Sequence, residues 1–394
     1  MQPEAARVIA DFTSSLYLGI GHPRDALAEW RQLTTGAPAV LGEPPVVRRV
    51  AEEFARLVGF DAALAATSTL HIAWDLAELI GSMNAAVLVD HSAYPTLRIA
   101  AELARARGAP VRRFSGHDPM TLRDAVGRLG RRDARRPVVV ITDGFCPMCR
   151  RVAPIAGFAN VVRDTGEGGF VVVDDTQALG ILGEHPSVAQ PYGRGGAGTL
   201  AWSGCPRDRV MLVASLAKGF GAPLAMVAAS DNLLERFAAE SKSRTHCSPP
   251  SIADLHAAER ALAINRTHGD RLRDRLLAVV REFRASLAAA GARLEPGLFP
   301  IQSIHAPRGD GAVALHALLA RRAVRAVLAN GRRRARVMFV LTAKHSSNDI
   351  RRAAASVQPT VESSASNASS ASNASIAGGT RQFGDARERA ATWR

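Results

Sequence analysis

Hydrophobic and polar residues fall into two alternating kinds of block along the middle of this chain. Short, almost uninterrupted apolar runs recur at Ala85–Val89, Pro110–Phe114, Pro137–Thr142, Phe170–Val173, Val210–Ala214 and Pro223–Ala229. Runs of this length, bounded by polar residues, predict strands buried on both faces. Between them, Thr96–Arg107, Thr121–Leu129 and Ala156–Thr165 carry the 3.6-residue period of helices. Regular strand–helix alternation predicts an α/β fold: a mostly parallel sheet with helices on both faces. Upstream, Val46–Val58 reads as an amphipathic helix with Val47, Val50, Phe54 and Leu57 on one face. A second helical run, LHIAWDLAELIG, follows Thr67, Ser68 and Thr69 and is expected to close at Gly81.

From about Ser241 the texture changes. The stretch HCSPPSIADLHAAERALAI leads into a long helix over His268–Ala290, a strand near Phe299–His305, a helix over Gly311–Arg321 and a strand over Arg336–Leu341. This α+β layout predicts a smaller second domain. The expected divisions are an N-terminal arm over 1–45, a large domain over 46–240, a small domain over 241–357 and a tail over 358–394. The tail begins TVESSASNASSASNASIAGGT, too poor in large apolar residues to bury a core, so the composition predicts disorder there.

Composition adjusts this picture only slightly. A chain of 394 residues has room for one large core or two smaller ones. No apolar run is long enough to cross a bilayer, and the opening MQPEAARVIADF lacks a basic-then-apolar signal layout. The expectation is a soluble, cytoplasmic protein with no membrane partner. The net charge of +14 is carried almost wholly by arginine. Those arginines are interspersed with Asp and Glu, as in RLRDRLLAVVREFR, which favours solvated helix faces over a nucleic-acid surface. The densest cluster, RRRAR at 332–336, precedes a strand and suits an acidic ligand. Among four cysteines, Cys146 and Cys149 form a lone C-x-x-C. Zinc ordinarily takes a second pair or histidines at ligand spacing; none is evident, and no metal is expected.

The chemistry gathers at strand ends. Asp90, Asp143, Asp174, Asp175 and Ser215 each follow an apolar run, and in open parallel sheets ligands sit outside the carboxyl ends of strands. The chain has only three lysines, Lys218, Lys242 and Lys344. Lys242 sits in a polar surface phrase and Lys344 in a loop beside His345. Only Lys218 follows a buried strand, and the small residues after it, GFGAP, let a flat ligand approach. A lysine there suits Schiff-base formation with an aldehyde cofactor such as pyridoxal 5'-phosphate. Asp174 suits the anion that keeps such a ring's nitrogen protonated. The bland alternative is a structural lysine and a loop aspartate.

These phrases resemble a known family. DDTQALGILG is similar to the D-[DE]-A-H-x-x-G-x-x-G segment of the α-oxoamine synthases, and SLAKGFG to their lysine loop. SSLYLG resembles their N-x-Y-L-G, STLHIA the phosphate turn, DHSAYPT the ring-stacking segment and DGFCPMCRRVAPI the E-G-x-[FY]-S-M-D-G stretch. SPP resembles the small-domain entry, and LTAKHSSNDI the closing L-T-A-x-H-T-x-x-D-I. The order is preserved from about residue 12 to residue 357. Each phrase alone is weak; the shared order resembles a fold-type-I pyridoxal-phosphate enzyme.

The resemblance implies a role for each matching position. Lys218 would carry the cofactor as a Schiff base and Asp174 would pair with the ring nitrogen. Gln177 stands where the family has a histidine near the phenolic oxygen, and Tyr94 where it stacks a histidine on the ring. Ser68, Thr69 and Leu70 would hold the phosphate, with Ser215 close by. Relatives are homodimers with the site at the subunit interface, so His246 or Ser248 would reach the neighbour's phosphate. The family's carboxylate-binding arginine falls on Met338, counting back from His345. Arg336 is two residues away, on the same face of a regular strand; either Arg336, with His345, contacts the substrate in its place, or the substrate lacks that carboxylate. Val47 replaces a family histidine, and Thr69 the phosphate-turn glycine. The implied activity is decarboxylative condensation of an amino acid with an acyl thioester. An aminotransferase, using a keto-acid substrate, needs the same lysine and aspartate. A non-catalytic basic binding protein is the third reading.

Overall fold

The structure is a computed structural model, and it describes residues 9–304, 311–330 and 335–357. The chain forms two compact units. One comprises Leu16–Arg273; the other joins the described residues of Met1–Ser15 to those of Asp274–Arg394. The division falls inside a helix, downstream of the 240/241 boundary expected from composition. The tail over 358–394 and most of the RRRAR cluster lie outside the described residues.

The first unit is built on a seven-stranded sheet. Its strands are β1 (Ala62–Ala66), β2 (Ala86–Asp90), β3 (Val111–Phe114), β4 (Val138–Asp143), β5 (Phe170–Asp174), β6 (Val210–Ser215) and β7 (Ala225–Ala229). They lie in the order β1-β7-β6-β5-β4-β2-β3. The pairings β3–β2–β4–β5–β6 are all parallel. Strand β7 runs antiparallel to both β6 and β1. The mostly parallel sheet expected from the apolar runs is present. Strands β2, β4 and β5 are buried at every position, as strands covered on both faces must be.

Helices α1 (Pro45–Val58), α2 (Thr69–Ser82), α3 (Pro95–Ala106), α4 (Pro119–Gly127) and α5 (Ile155–Asp164) alternate with the strands. They are followed by α6 (Asp231–Glu240), α7 (Lys242–His246) and α8 (Ile252–Ala289). The apolar faces of α2 and α3 pack into one cluster with β2, β4 and β5, through Ile72, Leu76, Leu97, Val87, Ile141 and Val172. Two expected boundaries move. Helix α2 runs through Gly81 to Ser82, with open space where a Cβ would stand, because α-helix tolerates an exposed glycine near its end. Helix α8 begins at Ile252, well before His268, so the run ADLHAAERALAI is already helical.

The second unit has its own sheet of β8 (Ile301–Ile304), β9 (Val327–Asn330) and β10 (Ala335–Val340), with β10 central and antiparallel to both. Helix α9 (Gly311–Arg321) packs beside it. The N-terminal residues are part of this core. Ala10 and Asp11 pair in parallel with Val324 and Arg325, and the Phe12 N–H donates to the Arg325 carbonyl at 2.9 Å. The Phe12 ring lies 5.8 Å from that of Phe283 and 5.5 Å from that of Phe339, fully buried. An aromatic side chain packed on all sides leaves a large void when truncated, at a cost of about 3–5 kcal/mol. Phe12→Ala is therefore expected to lower the denaturant midpoint strongly and Phe12→Leu much less. Equal, small shifts for the two would show that the arm does not contribute to this core.

Candidate active site

The buried strands of the first unit end in charge. Asp90 closes β2, Asp143 closes β4 and Asp174 closes β5. Strands β4 and β5 are in register so that Asp143 lies beside Asp174. Both carboxyl groups are almost fully withdrawn from water. Burial, the largest influence, raises both above the ordinary aspartate range, and the charge of Asp174 raises Asp143 further. Asp174 has more to hold its charge: the Thr176 hydroxyl, the Thr176 N–H at 3.0 Å, and Lys218. Both are thus raised, Asp143 well above its ordinary range and Asp174 with more donors opposing the rise.

Lys218 lies in the turn after β6 (Val210–Ser215). Its Nζ stands 5.7 Å from the centroid of the Tyr94 ring. Burial lowers the lysine below its ordinary range, opposed by the charges of Asp174 and Asp143. The amine is thus biased toward its neutral, nucleophilic form while facing the carboxylates. Tyr94 precedes the first turn of α3, and its backbone N–H donates to Asp143 Oδ1 at 2.8 Å. That bond fixes the base of a ring that is half exposed. The KGFG turn sits tightly on the loop after β5: a Cβ on Gly219 would stand 2.4 Å from the Leu179 carbonyl. An amine, an aromatic face and a buried carboxylate thus converge at the carboxyl ends of parallel strands. This set fits pyridoxal phosphate, whose aldehyde needs an amine and whose ring nitrogen needs an anion.

Comparison with known proteins identifies the family. Residues 13–357 match the family model for aminotransferase class I and II. The chain belongs to that family. A Halorhodospira halophila protein named 8-amino-7-oxononanoate synthase is 30% identical over 375 residues, covering 89% of this chain and 87% of that one. One of the same name from Alkalilimnicola ehrlichii is 29% identical over 315 residues, covering 78% and 75% respectively. Among solved structures, the Sphingomonas wittichii serine palmitoyltransferase superposes with a TM-score of 0.76 at 17% identity, covering 90% of this chain and 88% of that one. The 8-amino-7-oxononanoate synthase of Francisella tularensis gives 0.71 at 18% identity, covering 91% and 99%. This aminotransferase class I and II member is a pyridoxal-phosphate-dependent transferase of the α-oxoamine synthase type.

The transferase places the other expected residues as follows. Ser68 caps α2; its hydroxyl accepts from the His71 N–H and lies 2.9 Å from His71 Nδ1. Thr69 and Leu70 form the first turn, whose N–H groups have no partner within a helix. Gln177 Oε1 accepts the Tyr17 hydroxyl at 2.7 Å. Ser215 is tied in by its N–H, which donates to Thr176 Oγ1 at 2.9 Å. His246 and Ser248 are both exposed. Ser248 shares a small cleft with Thr67 and His71 at the start of α2, beside Asp75. Asp75 accepts Ser241 Oγ at 2.6 Å and the Ser243 N–H at 2.9 Å, so α7 is fastened to α2.

Two expected residues lie in the second unit. Arg336 is on β10 two positions from Met338, on the same face, and its guanidinium is 3.9 Å from Glu295. His345 is buried, stacked on Phe12 at 4.4 Å. Its Nδ1 accepts the Thr342 N–H at 2.9 Å and its Nε2–H donates to the Asp11 carbonyl at 3.0 Å. Both ring nitrogens are thereby engaged in holding the N-terminal residues.

Three participants carried no assigned role in the sequence reading. Asp143 was visible only as a polar strand end. Thr176, inside the quoted DDTQ, bridges β5 and β6. Tyr17, inside SSLYLG, is fully buried, and burial pushes its hydroxyl above the ordinary range, so it remains a donor. Because Tyr17 occupies Oε1, the Gln177 amide presents its N–H donors to a ligand. Tyr17→Phe is expected to keep the fold and weaken pyridoxal-phosphate retention several-fold, as loss of about 1 kcal/mol implies; unchanged retention would detach Gln177 from the cofactor.

Asp175 has a structural task. It is fully buried, accepting the Thr199 N–H at 2.8 Å and the Thr199 hydroxyl at 2.7 Å. Burial raises its carboxyl to about 7. An aspartate raised in the folded state binds more protons folded than unfolded, so its contribution falls as pH rises from the unfolded value to about 7. Stability of Asp175→Asn is expected to lose that downward slope between about pH 4 and pH 7; parallel profiles for the two proteins would contradict it.

Proposed function

We propose that Lys218, Asp174, Tyr94 and Gln177 are the working groups of this pyridoxal-phosphate-dependent transferase, which condenses an amino acid with an acyl thioester and releases carbon dioxide. The observation that carries the assignment is the Lys218 amine, 5.7 Å above the Tyr94 ring and in the field of Asp174. When bound, pyridoxal phosphate supplies a ring that withdraws electrons from the amino acid's α-carbon. Lys218 Nζ, biased toward neutrality by burial, would hold the cofactor at its aldehyde and would take and return the substrate's α-proton. Asp174, with its Thr176 donors, would hold the proton on the ring nitrogen. Asp143 anchors Tyr94 through the backbone N–H. Tyr94 would cover one face of the ring and exclude water. Gln177 would donate from its amide to the phenolic oxygen.

The phosphate end is assigned to the start of α2. The Ser68 hydroxyl, the N–H groups of Thr69 and Leu70 and the positive end of the helix suit a dianion, with Ser215 as a further hydroxyl. We assign a cytoplasmic homodimer, in which exposed His246 and Ser248 serve the neighbouring chain's phosphate. Among the described residues, no helix is long and apolar enough to cross a membrane.

Purified holoenzyme incubated with panels of amino acids and acyl thioesters tests this function. Free thiol carrier and carbon dioxide are expected together, and only when both substrates are present. Borohydride reduction should label Lys218 alone. Lys218→Ala should reduce turnover by about 10⁴-fold and Asp174→Asn by about 10²-fold or more, judged against the usual scale of proton-transfer and electrostatic contributions. Sedimentation should give a dimer. Stoichiometric keto acid and pyridoxamine phosphate from an amino donor alone would instead establish an aminotransferase, and a fully active monomer would remove His246 and Ser248 from the site.

A further inference from the structure

Beside the crevice wall, three donors with no part in the assignments above meet in one place. Cys146 Sγ, Cys149 Sγ and a ring nitrogen of His117 lie within 4.8 Å of one another. The cysteines come from a tight turn between the paired two-residue strands Phe145–Cys146 and Arg151–Val152. Within it the Cys149 N–H donates to Cys146 Sγ at 3.2 Å, and the Arg150 N–H donates to the Cys146 carbonyl at 2.7 Å. Arg150 has the left-handed φ of 56° that closes the turn. This hydrogen-bonded C-P-M-C turn brings both sulfurs to one place.

His117 arrives from the loop between β3 and α4 and is 4% exposed. Its Nε2 lies 2.9 Å from Ser92 Oγ, whose own proton goes to Asp90 Oδ1 at 2.7 Å. The Ser92 oxygen therefore accepts from His117 Nε2–H. That assigns the ring proton to Nε2 and leaves the lone pair on Nδ1. This Nδ1 is buried and has no hydrogen-bond partner. An unpartnered buried acceptor costs about 1–3 kcal/mol. A histidine whose other nitrogen is held by a carboxylate relay is the usual setting of a metal ligand.

We propose that Cys146, Cys149 and His117 Nδ1 bind a zinc ion, with the fourth tetrahedral position open to solvent on the exposed Cys149 side. Zinc–sulfur bonds of about 2.3 Å and zinc–nitrogen bonds of about 2.0 Å place ligand atoms somewhat under 4 Å apart. The three atoms need to close by about 1 Å, within the reach of side-chain rotation. Binding of the metal displaces the protons of both thiols to solvent. Two thiolates and one imidazole then leave the zinc centre with no net charge. Asp90 completes the link to the crevice. Its Oδ2 accepts Thr142 Oγ1 at 3.1 Å, so the outer shell of the metal ends one residue from Asp143. We assign the zinc a bracing role for that strand end.

The test is metal content of the full-length holoenzyme, purified under reducing conditions, exposed to zinc chloride and exchanged into metal-free buffer. About one zinc per chain is expected. Cobalt(II) in its place should show the thiolate charge-transfer and tetrahedral d–d bands. Cys149→Ser, at an exposed position, should abolish retention while the cofactor's absorbance persists. Ser92→Ala should weaken zinc binding about 10–100-fold through the lost outer shell. No zinc on the reduced wild-type protein, retention unchanged in Cys149→Ser, or a Cys146–Cys149 disulfide that forms in preference to zinc binding would each overturn the proposal.

Discussion

The structure is organised by carboxyl groups brought to the buried ends of parallel strands. Parallel strands must be covered on both faces, so the groups at their carboxyl ends are buried unless the crevice opens on them. Here Asp90, Asp143, Asp174 and Asp175 are all at most 6% exposed. Each is held by a different set of partners: Ser92, His117 and Thr142 for Asp90, the Tyr94 N–H for Asp143, Thr176 and Lys218 for Asp174, and Thr199 for Asp175. Those partners draw in the loops that form the site. The aspartates thus position the loops as well as supplying charge.

The same constraint separates the roles of neighbouring carboxyls. Asp174 and Asp175 are adjacent in sequence and point into different surroundings. Asp174 faces the amine of Lys218, while Asp175 sits between Gly144 and Gly198, where a Cβ on either would collide with its carboxylate or with Thr199. Asp143 and Asp174 are distant in sequence and neighbours across the sheet. Like charges so close raise each other, and Asp174, with its Thr176 donors, has more to oppose the rise. A single lysine, lowered by burial, sits in the field of both.

Much of this was legible beforehand, and the legible parts share a cause. Strands that are buried on both faces carry an apolar signal too strong to miss, and β2, β4, β5 and β6 fall within a residue or two of their expected bounds. With three lysines in the chain, Lys218 stood out by its position after such a strand. The start of α8 was obscured because Ile252–Arg266 mixes charged and small residues where the period is weak. The pairing of Ala10–Asp11 with Val324–Arg325 was out of reach, since a two-residue strand has no periodicity. The partnership of Tyr17 with Gln177 needs a contact across 160 positions.

The sequence by itself determined the class of fold and singled out Lys218 and Asp174 as candidates, because burial period and residue scarcity are local properties that survive without knowledge of neighbours. It also carried the ordered phrases that mark the family. Only the tertiary structure decided which carboxyls stand side by side, which atom of Gln177 is occupied, and that His345 reaches Asp11 near the other end of the chain. It also brought His117 to the C-x-x-C turn, where the sequence showed no histidine at ligand spacing. The reason is the same in each case. Protonation, tautomer and coordination depend on what stands within a few ångströms, and in a parallel sheet those neighbours come from strands and loops far apart in the chain.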